Sequence, residues 1–285
     1  MTVLFDGIAS GVLRFLISVG LSVTLGLMNF VNLAHGAFAM FGGYVCVVLL
    51  NRFGIPFLAT LPITMFVSAL LGVILERTLY RRLYGASHLD QVLFSIGLVF
   101  MSISTANYVF GDRQQKLHLP PMLSGQFHLA GADIGAYRLF LVAVGLVLAV
   151  ALQWLVSWTK FGASLRAAVD NPGAARGLGI DVDRVFVVTF ALGTALAALG
   201  GALGIEMLGL DPEFPITYIV YFLIVVAVGG SGNIKGSLIA SLILGVCDVE
   251  GKYYVPQIGA FIIYLVMVTT LIFRPRGLFG RSATK

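Results

Sequence analysis

The chain is poor in charge. Of its 285 residues only 11% are Asp, Glu, Lys or Arg, whereas 59% are apolar. A water-soluble domain carries about 25% charged and about 45–50% apolar residues. So few charged side chains cannot cover the surface of one or two soluble globules, and the mean hydropathy of +0.98 agrees. These proportions exclude a soluble protein and predict that lipid covers most of the surface.

The chain also lacks the residue groupings that most enzymes need. None of its four histidines has a second metal ligand three or four positions away on a helix face. No G-x-x-x-x-G-K-[ST] phosphate loop is present, so we expect that the chain does not hydrolyse a nucleotide by itself. The sequence therefore predicts a protein that is not an enzyme and has no catalytic residues and no metal site. The histidines are His35, His88, His118 and His128.

Ionisable side chains are also scarce inside the apolar stretches. We expect the carboxylates, Asp248 and Glu250 among them, at the edges of membrane spans, and His35 as the one titratable side chain at depth. Because ionisable groups inside a membrane are costly and usually functional, this scarcity argues against a pump driven by its own proton or sodium coupling. The two cysteines, Cys46 and Cys247, lie in apolar stretches and are interpreted as small core residues.

Stretches free of Asp, Glu, Lys and Arg predict the membrane spans. A helical crossing needs about 20 apolar residues. Six stretches of 21 to 23 residues each predict one crossing, and residues 15–51 are long enough for two. The stretches are continuously apolar rather than alternating, which excludes β-strands as the spanning elements. We predict an all-α, polytopic transmembrane helical bundle of about 8–9 spans with interrupted helices.

The distribution of Lys and Arg favours one topology. If the short stretch 236–247 crosses and residues 15–51 cross twice, there are nine crossings, with twelve Lys and Arg on one side and six on the other. If 236–247 does not cross, the division is nine against nine. Because cytoplasmic loops carry an excess of Lys and Arg, we predict nine crossings with a cytoplasmic C-terminus. The alternative makes residues 15–51 one span and a re-entrant piece, with eight crossings and the N-terminus inside.

Two polar breaks and two rows of small residues stand out. The breaks lie at residues 32–36 (Asn-Leu-Ala-His-Gly) and 233–236 (Asn-Ile-Lys-Gly). Glycine-interrupted spans in two halves can mark a repeat that lines a pathway, and two tight cytoplasmic turns are the alternative. Small residues recur in 193–204 and 236–245, which predicts close helix packing, with a narrow permeation route as the alternative.

The loop 159–184 is predicted to hold two short helices. The first, at 160–170, is amphipathic and typical of a helix at the membrane surface. Asn171 then provides an N-cap and Pro172 a first helical position, and two glycines can end the second helix after about two turns. A short, capped, alanine-rich helix facing the cytoplasm suits a groove on a soluble partner, and an ordinary surface helix is the alternative. The apolar side of the first helix consists of Phe161, Leu165 and Val169.

Five segments, taken together and in this order, resemble one family of membrane proteins. They lie at 28–36 (Met-Asn-Phe-Val-Asn-Leu-Ala-His-Gly), 159–167 (Thr-Lys-Phe-Gly, then Leu-Arg-Ala), 171–182, 229–236 and 274–280 (Arg-Pro-Arg-Gly-Leu-Phe-Gly). The family is the permease subunits of bacterial branched-chain amino acid ABC importers with two different membrane subunits. The first segment is more similar to the first of the two permease types. Lys235 departs from the family, whose members often have an apolar aromatic residue there.

The resemblance implies a translocation subunit in the bacterial inner membrane, with residues 1–285 as a single transmembrane permease domain. It implies no cofactor in this chain, because ATP would be bound by partner subunits. The implied partners are a second permease subunit, two cytoplasmic ATPase subunits, a periplasmic substrate-binding protein and membrane lipid, with no nucleic acid. The second helix of the loop would be the coupling helix that docks on the ATPase. Its predicted residues are Asn171, Pro172, Ala174, Ala175, Arg176, Leu178 and Gly179.

The expected mechanism is alternating access, in which movement of the coupling helix rocks the spans. The expected solutes are branched-chain or other small hydrophobic amino acids, or related small amides. Their polar ends need polar groups along the pathway, and Asn29, Asn32 and His35 are the predicted pathway residues, with packing roles as the alternative. The rival interpretation is a stand-alone secondary carrier or channel for small solutes that works without an ATPase.

Overall fold

Helices make up most of the structure. The computed structural model describes residues 1–28, 30, 32–117, 119–129 and 132–280, so the predicted pathway residue Asn29 lies outside the described residues. The fold is an all-α polytopic membrane bundle, as predicted. The helices are α1 (Thr2–Met28), α2 (His35–Phe53), α3 (Phe57–Thr78), α4 (His88–Phe110), α5 (Pro121–Ser124), α6 (Ala136–Trp158), α7 (Lys160–Asp170), α8 (Pro172–Gly177), α9 (Val182–Leu208), α10 (Phe214–Gly229), α11 (Ile234–Tyr254) and α12 (Pro256–Phe273).

The number of membrane crossings depends on α10 and α11. Among the described residues, seven helices are long and apolar enough to span a membrane, while α10 has only 16 residues and α11 carries four charged side chains. Helix α11 nevertheless runs antiparallel to α1 along its length, since Gly7 lies against Val246 near one end and Gly26 against Gly232 near the other. It therefore covers the same membrane depth as the 27-residue α1. This arrangement favours nine crossings over eight.

The first long apolar stretch forms two helices. Helix α1 ends at Met28 and α2 begins at His35, so the break coincides with the polar motif. Helix α1 starts at Thr2, much earlier than the charge-free stretch suggests. Arg14 therefore lies inside the helix, and its guanidinium is paired with Asp248 of α11. Asp248 is six residues from the end of α11. The expectations that the carboxylates lie at span edges and that His35 is the one titratable side chain at depth stay predictions.

Both polar breaks and α8 lie at the same end of the bundle, called here the α8 end. The amide of Gly232, in the second break, donates to the carbonyl of Ser22 on α1 at 3.1 Å. The α7–α8 segment packs on Val23 of α1. Helix α12 returns to this end, where the amide of Leu278 donates to the carbonyl of Val228 at 2.7 Å. The start of α1 and the segment between α4 and α6 lie at the opposite end.

The rows of small residues serve helix packing. A Cβ atom on Gly245 of α11 would lie 2.4 Å from Cα of Gly11, so α1 and α11 touch through their backbones. A Cβ atom on Gly200 of α9 would lie 2.8 Å from Cα of Ile17. Only glycine allows these approaches, as expected for small residues at helix–helix contacts in membranes. The packing interpretation of both rows is confirmed.

A β-hairpin that the sequence did not suggest lies at the opposite end, in the segment between α4 and α6. Strand β1 (Gln126–Leu129) pairs antiparallel with β2 (Ala132–Gly135), with Phe127 opposite Ile134. Strands of four residues carry too few alternations of polar and apolar side chains to give a sequence signal.

Candidate functional site

Helix α8 has the start and the end that the sequence predicts. The side-chain oxygen of Asn171 accepts a hydrogen bond from the amide of Ala174 at 3.0 Å, and Pro172 occupies the first turn. At the other end, the amide of Leu178 donates to the carbonyl of Ala174 at 3.1 Å. Gly179 then adopts a φ of +82°, in the left-handed region that glycine tolerates best. A helix of only six residues is thus capped at both termini.

Ala175 anchors α8 to the bundle. It is only 2% exposed, and it is the one buried residue of the seven predicted coupling residues. Leu178, by contrast, is 81% exposed. Ala175 is therefore unavailable to a partner in this conformation, while the remaining six residues face outward. Ala175 packs in a small apolar cluster with Val23, Leu165, Ala168, Val182 and Val185.

Helix α7 connects α8 rigidly to the end of α6. It spans Lys160–Asp170 as predicted, and Thr159 caps it by accepting a hydrogen bond from the amide of Gly162 at 3.2 Å. The guanidinium of Arg166 donates to the carbonyl of Val156 in α6. The sequence analysis missed the Thr159 cap, although a threonine directly before a helix is a recognised start signal.

Asp183 joins α8 to two membrane helices. It lies in the first turn of α9, and one carboxylate oxygen accepts from Arg176 of α8 at 3.3 Å. The other oxygen accepts from Arg81, in the 3-10 turn that follows α3. All three side chains are exposed, so the two ion pairs add little stability, but they link α8 to the turn between α3 and α4. Sequence reasoning missed this link because its members are far apart in the chain.

Asn32 is held in the first polar break by internal hydrogen bonds. Its side-chain oxygen accepts from the amide of Ala34 and from the hydroxyl of Tyr80, both at 3.1 Å. Burial raises the pKa of the Tyr80 hydroxyl far above its ordinary value, so this group stays a neutral donor. The side-chain oxygen of Asn32 is therefore already occupied in this conformation.

His35 is also bonded within the chain. It is 1% exposed, and its Nε2 lies 2.7 Å from the carbonyl oxygen of Ile17. Because a carbonyl only accepts, Nε2 must carry a proton to make this bond. Neither His35 nor Asn32 lines the apolar cavity of about 420 Å³ between α2, α3 and α4. A pathway role for these two residues stays a prediction.

The described residues offer no site for a metal ion, since they contain no suitable group of three or more His, Cys, Asp or Glu side chains. The arrangement at the α8 end is suited to contact and movement. It comprises a capped helix with an exposed apolar tip, an apolar anchor and two ion pairs.

Comparisons with known proteins agree with the motifs. The family described as branched-chain amino acid transport system / permease component matches residues 3–271. The branched-chain amino acid permease protein BraD of Pseudomonas aeruginosa is 26% identical over 98% of this chain and 95% of its own length. LivH of Salmonella typhimurium is 28% identical over 98% of this chain and 94% of its own length. The probable LivH of Methanocaldococcus jannaschii is 29% identical over 94% of this chain and 89% of its own length. No solved structure gives a significant match. The chain belongs to the family of branched-chain amino acid transport permeases.

Proposed function

We propose that the chain is the membrane-spanning translocation subunit of an ATP-driven importer for branched-chain or other small hydrophobic amino acids, or related small amides. The family and the names of its relatives support the solute class. In this proposal two cytoplasmic ATPase subunits bind ATP, a periplasmic binding protein delivers the solute, and a second permease subunit completes the membrane part. The membrane is the bacterial inner membrane.

The observation that carries the proposal is the exposed, doubly capped helix α8. A six-residue helix contributes little to membrane insertion, yet this one is fixed by Asn171, by Ala175 and by the Asp183 ion pairs. The excess of Lys and Arg supports a cytoplasmic position for the α8 end, and the proposal includes a cytoplasmic C-terminus. A rigid helix with an apolar tip on this side suits a groove on an ATPase subunit.

The contacts of α8 suggest how force enters the bundle. When the ATPase subunits close, α8 moves with the groove that holds it. Its anchor passes the displacement to α1 through Val23 and to α9 through Val182, and Asp183 passes it to the turn after α3. Rigid-body rocking of these packed helices would open the pathway first outward and then inward.

Leu178→Asp tests the docking role of α8. The substitution replaces an exposed apolar tip with a charge and disturbs no internal contact of the bundle core. We expect normal membrane insertion, but loss of co-purification with the co-expressed ATPase subunits and loss of stimulated ATP hydrolysis. Leu89→Asp is the matched control, because Leu89 is a 66% exposed leucine at the start of α4, at the same end of the bundle. Ala175→Asp is unsuitable, since its carboxylate would enter the packed cluster.

Unchanged co-purification of Leu178→Asp would refute the docking role. The same loss in Leu89→Asp would show that any charge at this end disturbs assembly. Solute uptake by the chain in vesicles that hold no ATPase would instead favour the rival, a stand-alone carrier or channel.

A further inference from the structure

Three charged side chains meet inside the apolar bundle, and the coupling mechanism uses none of them. Asp248 of α11 pairs with Arg14 of α1 and with Lys252, one turn further along α11. The Lys252 ammonium lies 2.8 Å from Oδ1 of Asp248. The side chain of Asp248 is 4% exposed and that of Arg14 is 12% exposed. These three residues are called the Arg14–Asp248–Lys252 cluster.

The cluster carries an excess positive charge. Two cations face one carboxylate, and no other ion pair of the described residues involves Arg14 or Lys252. Glu250 does not supply the missing charge, because it lies two positions from both Asp248 and Lys252 and so points to another side of the helix. One further negative charge would balance the cluster.

The guanidinium of Arg14 has donors to spare. Arginine carries five N–H donors, and Arg14 bonds to two acceptors of the described residues, Asp248 and, at 3.4 Å, the carbonyl of Leu244. The ring of Tyr221 of α10 also lies near it, with the ring centroid 5.7 Å from the guanidinium carbon. A guanidinium in such an apolar setting binds a second oxyanion much more strongly than it would in water.

The cluster lies toward the end of the bundle that is opposite the α8 end, and one of its members is exposed. Asp248 is six residues from the end of α11, or about 9 Å along a helix, and the neighbouring Val246 lies against Gly7 near the start of α1. Ionisable side chains of membrane helices mostly face a protein interior or an aqueous route. The side chain of Lys252 is 50% exposed. An anion can therefore approach the cluster at Lys252.

We propose that the Arg14–Asp248–Lys252 cluster is an anion subsite that binds the carboxylate of the transported solute. Arg14 and Lys252 supply the cationic donors, and Asp248 holds the two donors together. The inference rests on the proposed function and adds to it the group of the solute that is recognised and the residues that recognise it. The phosphate of a lipid headgroup offers similar anionic chemistry, so the test must separate the two sources.

The test measures thermal unfolding of the full chain in nanodiscs of neutral phosphatidylcholine. The probes are 4-methylpentanoate, which has a carboxylate and no ammonium, and leucinamide, which has an ammonium and no carboxylate. At a probe concentration tenfold above Kd, we expect 4-methylpentanoate to raise Tm by about 2 °C and leucinamide to leave it unchanged. Lys252→Gln, at a half-exposed position, should abolish the shift, and Lys252→Arg should keep it. Lys235→Gln, at the exposed start of the same helix, is the matched control and should also keep it.

Equal stabilisation by the two probes, or a full shift in Lys252→Gln, would overturn the proposal. Repeating the measurement in nanodiscs that contain anionic phosphatidylglycerol separates the two anions. The proposal fails if phosphatidylglycerol raises the Tm of the wild type more than that of Lys252→Gln and 4-methylpentanoate raises neither. The cluster would then be a site for a lipid headgroup. Because no ATP and no ATPase are present, failure here leaves the test of α8 unaffected.

Discussion

Arg81 and Asp183 form an ion pair that joins the turn after α3 to the first turn of α9, although 102 residues separate them in sequence. Asp183 also accepts a hydrogen bond from Arg176 of α8. One carboxylate therefore connects α8, the helix proposed to dock on the ATPase, to α9 and to the turn after α3. Exposed ion pairs contribute about 0–1 kcal/mol of stability. The ion pairs therefore favour one orientation of α8 relative to α9 and the turn after α3 rather than holding the helix in place.

Asp183→Asn should uncouple ATP hydrolysis from transport while leaving the fold intact. The amide keeps the size of the carboxylate but loses its charge, so α8 can move without carrying the turn after α3 with it. We expect the ratio of solute imported to ATP hydrolysed to fall severalfold in proteoliposomes that hold the assembled transporter. Asp181→Asn is the control, since within the described part of the chain Asp181 forms an ion pair only with the neighbouring Arg184, at 2.8 Å, and an asparagine can still cap α9. Equal ratios in the two variants would contradict the role of Asp183.

Asn171→Ala should loosen α8. Loss of an N-cap costs about 1 kcal/mol, which is large for a helix of six residues. The amide of Ala174 loses its acceptor, and we expect hydrogen exchange of the amides of residues 173–177 to accelerate about fivefold, with α7 unaffected. Exchange measured by mass spectrometry checks this, with Asn171→Asp as a variant that keeps the cap. Unchanged exchange in Asn171→Ala would mean that the apolar anchor alone holds the helix.

Gly245→Ala should separate α1 from α11. A Cβ atom there would collide with the backbone of Gly11, and overpacking of this kind costs about 1–3 kcal/mol. We expect a clear fall in the unfolding temperature in detergent. Gly97→Ala in α4 is the matched control, because no atom lies within 4 Å of its added Cβ, and it should unfold at or slightly above the wild-type temperature. A similar fall in the unfolding temperature of both variants would show that glycine is needed for a reason other than the close approach of two helices.

Local features of the fold were predictable from sequence. The cap at Asn171, the proline that follows it and the glycine at residue 179 act over three or four residues, and the structure has them where the sequence indicates. The apolar stretches predicted the bundle for the same reason, since membrane helices satisfy their own backbone hydrogen bonds. The family motifs added the coupling role, which stays a prediction.

Relationships between distant residues were not predictable. Counting charge-free stretches treats every Lys and Arg as the boundary of a span. This fails at Arg14, which lies inside α1 and pairs with Asp248, 234 residues later in the chain. The sequence alone leaves open whether Asn32 and His35 in the polar break line a pathway or serve packing. The structure shows what a single sequence cannot, namely that Asn32 and His35 already have hydrogen-bond partners on other segments.

The same buried pair gives a prediction that separates stability from solute binding. Asp248→Leu alone should destabilise the fold by about 3–5 kcal/mol, because it leaves the Arg14 guanidinium buried without its carboxylate. Adding Arg14→Met should restore most of this loss, because an apolar pair of similar volume avoids the cost of burying two charges. Thermal unfolding of the two single variants and the double variant measures the coupling between the sites. If the cluster also binds the solute carboxylate, 4-methylpentanoate will stabilise the wild type but not the normally folded double variant. If the pair is purely structural, the probe will change the unfolding temperature of the wild type and of the double variant equally.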